Sequence, residues 1–434
     1  MQKLFGTDGI RGIANKDLSI ELLNKLGKTL SLFNINKVVI GQDTRISSPM
    51  LSYALISSCL SMGINVYDEV VVTTPCLSYI SEKMNSLGVM ITASHNPYFY
   101  NGIKIFIDGK KLSKEQELLI ENKINDIYIA NDNIGKYENS NFKKYYYEYM
   151  NKYHNKYNKL RIGLDCSNGA TSNIARDVFS NITNSLYIFN NLPNGYNIND
   201  NVGSTNINSL VNYVTQHNLD IGFSYDGDGD RVIAVSKNKE VVSGNLILYI
   251  LAKYFFDYLG YPNRAVVLTK DTNIGVIKAF NNINVKVLLS DIGDMNVKEL
   301  MLKENIVLGG EDSGHIISPF SQYGDGILTS LVLLNALYTL NKELDDFTNS
   351  ISLFPYLKYN INKYNKNILN ETEVKNTINY INKLMGEDGD ILVRASGTED
   401  LIRVYMCYKN QGALNGFNDL LSEALNKVGK KYER

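Results

Sequence analysis

The chain alternates between stretches with helical spacing of apolar residues and short, nearly continuous apolar runs. Leu18, Leu22, Leu23, Leu26, Leu30 and Phe33 recur at helical intervals. Val38-Val39-Ile40 then reads as a strand entering the polar loop Gln42-Asp43-Thr44-Arg45, followed by a helix over 48–62 and a strand over 64–72. This alternation predicts a largely parallel sheet. Residues 87–91 form an apolar run that stops at Ser94-His95-Asn96-Pro97, because Pro97 has no N–H with which to continue a sheet or helix. Asn101-Gly102 reads as a turn. In the strand after it, Ile103, Ile105 and Ile107 alternate with Lys104 and Phe106, and Asp108-Gly109 closes it. Near the start, the glycines among residues 3–13 predict a tight loop between short strands, with Arg11 in the loop.

Residues 113–150 are polar, helical in spacing and rich in tyrosine, and read as a link to a second unit. The pattern of an apolar strand followed by a loop holding an aspartate recurs at Ile40 to Thr44, Leu160 to Ser167 and Ala265 to Thr272. These echoes suggest three α/β units of about a hundred residues each. The last eighty or so residues differ, with a helix over 374–384 and strands over 390–394 and 401–408, as expected of a smaller α+β domain.

The length of 434 residues suits about three or four domains. Lys plus Arg number 44 and Asp plus Glu 45, which argues against a nucleic-acid surface. No apolar run approaches a membrane span, and the first residues lack the apolar core of a signal peptide. Cys59, Cys76, Cys166 and Cys407 have no paired spacing and read as reduced, buried thiols, so a cytoplasmic location is expected.

Four loops carry candidate chemistry. Ser94 sits at the tip of a strand, next to His95; this suits a reacting group, and equally a capped turn. Asp226-Gly227-Asp228-Gly229-Asp230-Arg231 sets three carboxylates at alternating positions. They repel unless a cation lies between them, and hard oxygen ligands suit Mg²⁺. An EF-hand would need a Glu twelve positions from Asp226, where Lys237 stands. In Gly310-Glu311-Asp312-Ser313-Gly314-His315, Glu311 and Ser313 can bond a pair of sugar hydroxyls and His315 can transfer a proton. Arg394-Ala395-Ser396-Gly397-Thr398, with Arg403 on the next strand, matches a phosphate dianion. A Ser-His-Asp hydrolase would leave the acidic triplet idle and lacks Gly-X-Ser-X-Gly. No Walker sequence occurs either. A non-catalytic sugar-phosphate-binding module remains open, and would not need Ser94, Lys104 and His315 together.

In this order, the motifs resemble the α-D-phosphohexomutase family along nearly the whole chain. Phe5-Gly6-Thr7-Asp8-Gly9-Ile10-Arg11-Gly12 and Pro193-Asn194-Gly195-Tyr196-Asn197-Ile198-Asn199 are most similar to its members acting on glucosamine phosphates. The resemblance implies an α/β protein with three similar mixed α/β domains (1–150, 151–243 and 244–354) and a smaller C-terminal α+β domain (355–434) around a central active-site cleft. It implies interconversion of glucosamine 6-phosphate and glucosamine 1-phosphate through a phosphoserine at Ser94 and a 1,6-bisphosphate. A phosphomannomutase/phosphoglucomutase is the alternative activity. Ser94, Asp226, Asp228 and Asp230 would hold one Mg²⁺, Glu311 and Ser313 the sugar hydroxyls, and Arg394, Ser396, Gly397, Thr398 and Arg403 the distal phosphate. Arg11, Lys104 and His315 would serve proton transfer and transition-state charge, with His95, Asn96 and Arg231 in support. Glucose or glucosamine 1,6-bisphosphate would act as activator, and the protein would be a monomer or homodimer with no nucleic-acid or membrane partner. Asp312, Asp294-Met295, Asn206 and Asp400 stand where the family usually has other residues.

Overall fold

The computed structural model describes residues 3–6, 8–153, 155–396 and 401–432. The chain forms two compact units, Met1–Gly260 with Val307–Thr348, and Tyr261–Ile306 with Asn349–Arg434.

In the first unit, Asn65–Val71, Lys37–Gln42 and Leu87–Ile91 lie side by side as parallel strands. Tyr100–Ile107 adds antiparallel to Leu87–Ile91, and Ile10–Ile13 adds antiparallel beyond it. Helices Ile20–Thr29 and Ser48–Ser61 cover one face, and Leu23, Leu26, Leu55, Ile40, Val89, Ile91, Ile103 and Ile105 form one buried cluster. Ser19 caps the first helix by accepting from the Leu22 N–H at 3.2 Å. Two local expectations are corrected. Arg11 lies on a strand, not in a loop, and Asn101-Gly102 is strand, not turn. Gly102 is there because a Cβ would meet the Thr92 and Ile10 carbonyl oxygens at 2.6 and 2.7 Å. The glycine permits close strand packing instead of chain reversal. The stretch over 113–150 is also more than a helical link, since Tyr137–Asn139 extends the sheet beside Asn65–Val71.

A second sheet runs Val241–Val242, Val232–Ser236, Ile221–Tyr225, Arg161–Asp165, Ser185–Phe189. Its strands Ile221–Tyr225 and Arg161–Asp165 are parallel, while Val232–Ser236 returns antiparallel. The buried helices Gly244–Lys253 and Gly326–Leu340 and the short pair Gly309–Gly310 and Ile316–Ile317 complete this unit.

In the second unit, Ala265–Thr269 pairs in parallel with Lys286–Ser290, accompanied by helices Ile274–Asn282 and Asp294–Glu304. Its remainder is a three-stranded antiparallel sheet, Tyr356–Ile361, Ile402–Tyr408 and Gly389–Ala395, packed on helices Thr372–Met385 and Gln411–Gly429 around Ile381, Val404, Met406 and Leu421. The predicted helix and two strands are there; Tyr356–Ile361 and Gln411–Gly429 were not anticipated.

Candidate active site

Open α/β sheets gather functional groups beyond the carboxyl ends of their parallel strands. Asp43 follows the end of Lys37–Gln42, and Ser94 lies just beyond Leu87–Ile91 beside it. Ser94 is fully buried with φ at 52°, a left-handed backbone that a serine adopts at a cost of roughly 1–2 kcal/mol. Its hydroxyl donates to Asp226 Oδ2 at 2.5 Å. The strand-to-loop junction and the acidic loop, over a hundred residues apart in sequence, therefore meet at one oxygen.

Asp226, Asp228 and Asp230 are all buried, and their ligand atoms lie within 4.8 Å of one another. Lys104 Nζ donates to Asp228 Oδ2 at 2.8 Å and to Asp230 Oδ2 at 3.0 Å, so part of the negative charge is already met by the protein. Burial opposes the lysine's charge, but Asp228, Asp230 and Asp8 outweigh it and hold the ammonium well above its usual pKa. Burial lifts the Asp226 carboxyl well above the usual range, with Asp230 and Asp228 adding repulsion. Burial also works against the Asp230 charge, yet Lys104, His315 and Arg231 bring that carboxyl down to about 2. Asp228 Oδ1 and Asp230 Oδ1 are buried and accept no hydrogen bond among the described residues. Clustered hard oxygens with unused lone pairs fit a small divalent cation.

Arg11 pairs with Asp8 and reaches the serine loop, donating to Ala93 O at 3.3 Å and Asn96 Oδ1 at 3.5 Å. His95 Nδ1 lies 3.1 Å from Arg231 Nη1 and 3.4 Å from Ser94 Oγ. The Arg231 charge, burial and Arg11 hold the imidazole well below its usual pKa, so it is neutral at pH 7. The Glu311 loop is joined to the acidic loop through its backbone. Arg231 and His315 form an isolated bridge, and the Val232 N–H donates to Gly314 O at 3.1 Å. Ser313 Oγ donates to Glu311 Oε2 at 3.1 Å, and Asp312 Oδ1 accepts from Ser243 Oγ at 2.6 Å. The Asp312 carboxylate is thus tied to the start of the Gly244–Lys253 helix. His315 is buried, with its ring edge-on to Tyr323 at 5.2 Å.

In the second unit, Arg394 and Arg403 stand directly opposite each other across antiparallel strands. Like charges so placed repel, and an anion between them would relieve that. Ser396 follows, its N–H donating to Leu401 O at 2.9 Å and its carbonyl accepting from Lys366 Nζ at 3.1 Å. Gly397 and Thr398, and the Asp400 departure, lie outside the described residues.

Several participants gave no signal of their own in the sequence. Thr74 Oγ1 donates to Asp228 Oδ2 at 2.6 Å from the start of helix Thr74–Met84. Tyr323 OH donates to Asp230 Oδ2 at 3.0 Å and accepts from Lys104 Nζ at 3.2 Å. Asp8 gathers Arg11, Lys104 and Lys111. An isolated Thr or Tyr is too common a residue to single out, whereas Asp8 lay within a glycine-rich loop that could have marked it.

Fold and site together point to a phosphohexomutase: an α/β protein with a buried serine against a carboxylate cluster that could hold a cation. The chain belongs to the phosphoglucomutase/phosphomannomutase family, matching its alpha/beta/alpha domain I over residues 2–130, domain II over 142–239, domain III over 243–354 and its C-terminal domain over 360–420. It is therefore an enzyme of four such domains, of the isomerase class. The phosphoglucosamine mutase of Bacillus velezensis is 39% identical over 425 residues, covering 93% of this chain and 94% of that protein. Among solved structures, a phosphoglucomutase/phosphomannomutase family protein from Burkholderia thailandensis shares the fold with a TM-score of 0.82 at 21% identity, covering 100% of this chain and 99% of the other. The Aspergillus fumigatus N-acetylphosphoglucosamine mutase, solved with GlcNAc-6P and magnesium, aligns with a TM-score of 0.69 at 15% identity over 98% of this chain and 96% of that one. Among the described residues, no helix is long and apolar enough to cross a membrane.

Proposed function

We propose that this phosphohexomutase interconverts glucosamine 6-phosphate and glucosamine 1-phosphate with Ser94 as the phosphoryl carrier. The observation that carries the reading is the 2.5 Å bond from Ser94 Oγ to Asp226, inside a buried carboxylate cluster that fits a divalent cation. In the first half-reaction the Ser94 Oγ–P bond breaks as O1 of the 6-phosphate sugar takes the phosphoryl group. O1 gives up its proton, for which His315 is the acceptor. The 1,6-bisphosphate then reverses in the site. Ser94 Oγ takes the phosphoryl group from O6, the proton held since the first half-reaction passes from His315 to O6, and glucosamine 1-phosphate leaves. Asp226, Asp228 and Asp230 would hold Mg²⁺, which when bound supplies charge to the transferring phosphoryl oxygens. Arg11 and Lys104 add fixed positive charge, which phosphoryl transfer needs more than covalent help. Glu311 and Ser313 would orient the sugar hydroxyls, and Arg394, Ser396, Gly397, Thr398 and Arg403 the phosphate that is not moving. A sugar 1,6-bisphosphate would prime an unphosphorylated Ser94.

The four-domain division at 1–150, 151–243, 244–354 and 355–434 belongs to this reading, as does a cytoplasmic location. Cys59, Cys76, Cys166 and Cys407 are buried free thiols, which supports the latter. A substrate panel tests the assignment. The ratio kcat/KM for glucosamine 6-phosphate should exceed that for glucose and mannose 6-phosphates; a preference for mannose 6-phosphate would move the protein to the phosphomannomutase branch.

A further inference from the structure

The polar loop after the strand Lys37–Gln42 plays no part in the chemistry above, yet it contains an ion pair whose two side chains are both fully buried. Arg45 Nε donates to Asp43 Oδ2 at 2.8 Å, and both side chains have 0% exposure. A guanidinium is kept out of water only where its donors are used. Here its remaining donors go to the serine loop and to the start of the strand that follows it. Nη2 donates to Ser94 O and Asn96 O, each at 2.8 Å, and Nη1 to Pro97 O at 2.5 Å and Tyr100 O at 3.1 Å. The other end of the pair reaches the same residue. Asp43 Oδ2 accepts from Thr92 Oγ1 at 2.7 Å, and Thr92 Oγ1 accepts from the Ser94 N–H at 2.9 Å. The N–H and the carbonyl of Ser94 are thus both tied, in a closed ring, to one buried ion pair. The Ser94 carbonyl is also held from the second sheet's side. Asn199 Nδ2 donates to it at 2.9 Å, and a Cβ on Gly227 would sit 2.6 Å from it.

We propose that Asp43, Arg45, Thr92 and Asn199 are positioning residues of the mutase reaction. They hold Ser94 in its left-handed conformation, so that Oγ meets the acidic cluster before substrate arrives. This rests on Ser94 being the phosphoryl carrier. The ring restricts rotation of the peptides on both sides of Ser94, which a serine would otherwise leave for the commoner right-handed or extended regions. Phosphoryl transfer depends on alignment, so a loosened serine lowers kcat while sugar binding through other loops, and with it KM, is kept.

The test compares Thr92→Val, Thr92→Ser and Asn199→Gly in the full-length enzyme with Mg²⁺. Valine keeps the volume and loses the hydroxyl; serine does the reverse. Glycine at 199 removes the amide and suits the positive φ of 57° there. Thr92→Val and Asn199→Gly should each lower kcat about tenfold or more with KM within about twofold, and Thr92→Ser should stay within about threefold of wild type. Single-turnover transfer of label from glucose 1,6-bisphosphate to Ser94 should slow in parallel. The opposite order, with Thr92→Ser impaired and Thr92→Val normal, would show a packing role and overturn the inference, as would Thr92→Val and Asn199→Gly at wild-type kcat. Should Thr92→Val fail to fold, Asn199→Gly carries the test alone. Wild-type enzyme that takes up no label at Ser94 would instead overturn the carrier assignment.

Discussion

Asp228 is the middle carboxylate of the buried acidic triplet. Its Oδ2 accepts from Lys104 and Thr74, while Oδ1 accepts no hydrogen bond among the described residues. Asp228→Asn keeps the shape and removes one charge from a mutually repelling set. Turnover should fall at least about a hundredfold, because the charge opposing the cation is lost. The melting temperature in EDTA should hold or rise, since repulsion among the remaining carboxylates is relieved. Near-normal turnover with a chelator present would remove the cation from the mechanism. Single residues were legible where their backbone setting was. Ser94 stood out because an apolar run stops against a proline, and the acidic triplet because its spacing is costly without a counter-charge. Arg45 and Asn199 were not, because an arginine that places four donors on backbone carbonyls and a fifth on a buried aspartate looks in sequence like any surface arginine. Lys104 pairs with Asp228 and Asp230, neighbours that no local pattern could name.

Among elements, the Glu311 loop depends on a glycine. Gly314 has φ at 92°, and a Cβ there would sit 2.1 Å from the Val232 carbonyl oxygen. Gly314→Ala should destabilise the fold by about 1–3 kcal/mol, measured by urea unfolding, and raise KM by displacing Glu311 and Ser313. Unchanged stability and KM would mean that the bridge between Arg231 and His315 does not set this loop. The helix Gly326–Leu340 carries a pH signature. Asp325 caps it, accepting from the Leu328 N–H at 2.9 Å and from Tyr146 OH at 2.9 Å, and burial raises its carboxyl from 3.8 to about 7 despite these bonds. A raised carboxyl means that the folded state holds the proton more tightly than the unfolded one. Its contribution is therefore full below the unfolded value and lost as pH climbs from 3.8 to about 7. Asp325→Asn, which still caps, should flatten the fall in melting temperature across that window; an unaltered slope would assign the titration to another group. The sequence anticipated elements with a clear period, such as Thr372–Met385, and misread Asn101-Gly102 because glycine marks close approach as readily as a turn.

For the molecule as a whole, the proposed reaction leaves one substrate phosphate in place, which calls for a binding group apart from the serine. Arg394 and Arg403 face each other in the C-terminal sheet, so Arg394→Ala should weaken binding of glucosamine 6-phosphate by roughly 1.5–3 kcal/mol, about 10- to 150-fold in affinity. Unchanged affinity by calorimetry would place that phosphate elsewhere. The fold class was legible at this level because strand-then-acidic-loop units repeat at wide intervals. How strands from distant stretches join into one sheet was not, since pairing is a long-range choice. Whether Ser94 is the carrier is decided by intact-mass measurement of the purified protein, with and without glucose 1,6-bisphosphate, followed by peptide mapping. The expected result is a gain of one phosphate mass on Ser94, absent from Ser94→Ala and discharged by glucosamine 6-phosphate. No gain in the wild type, or a gain that maps to His95, would contradict it.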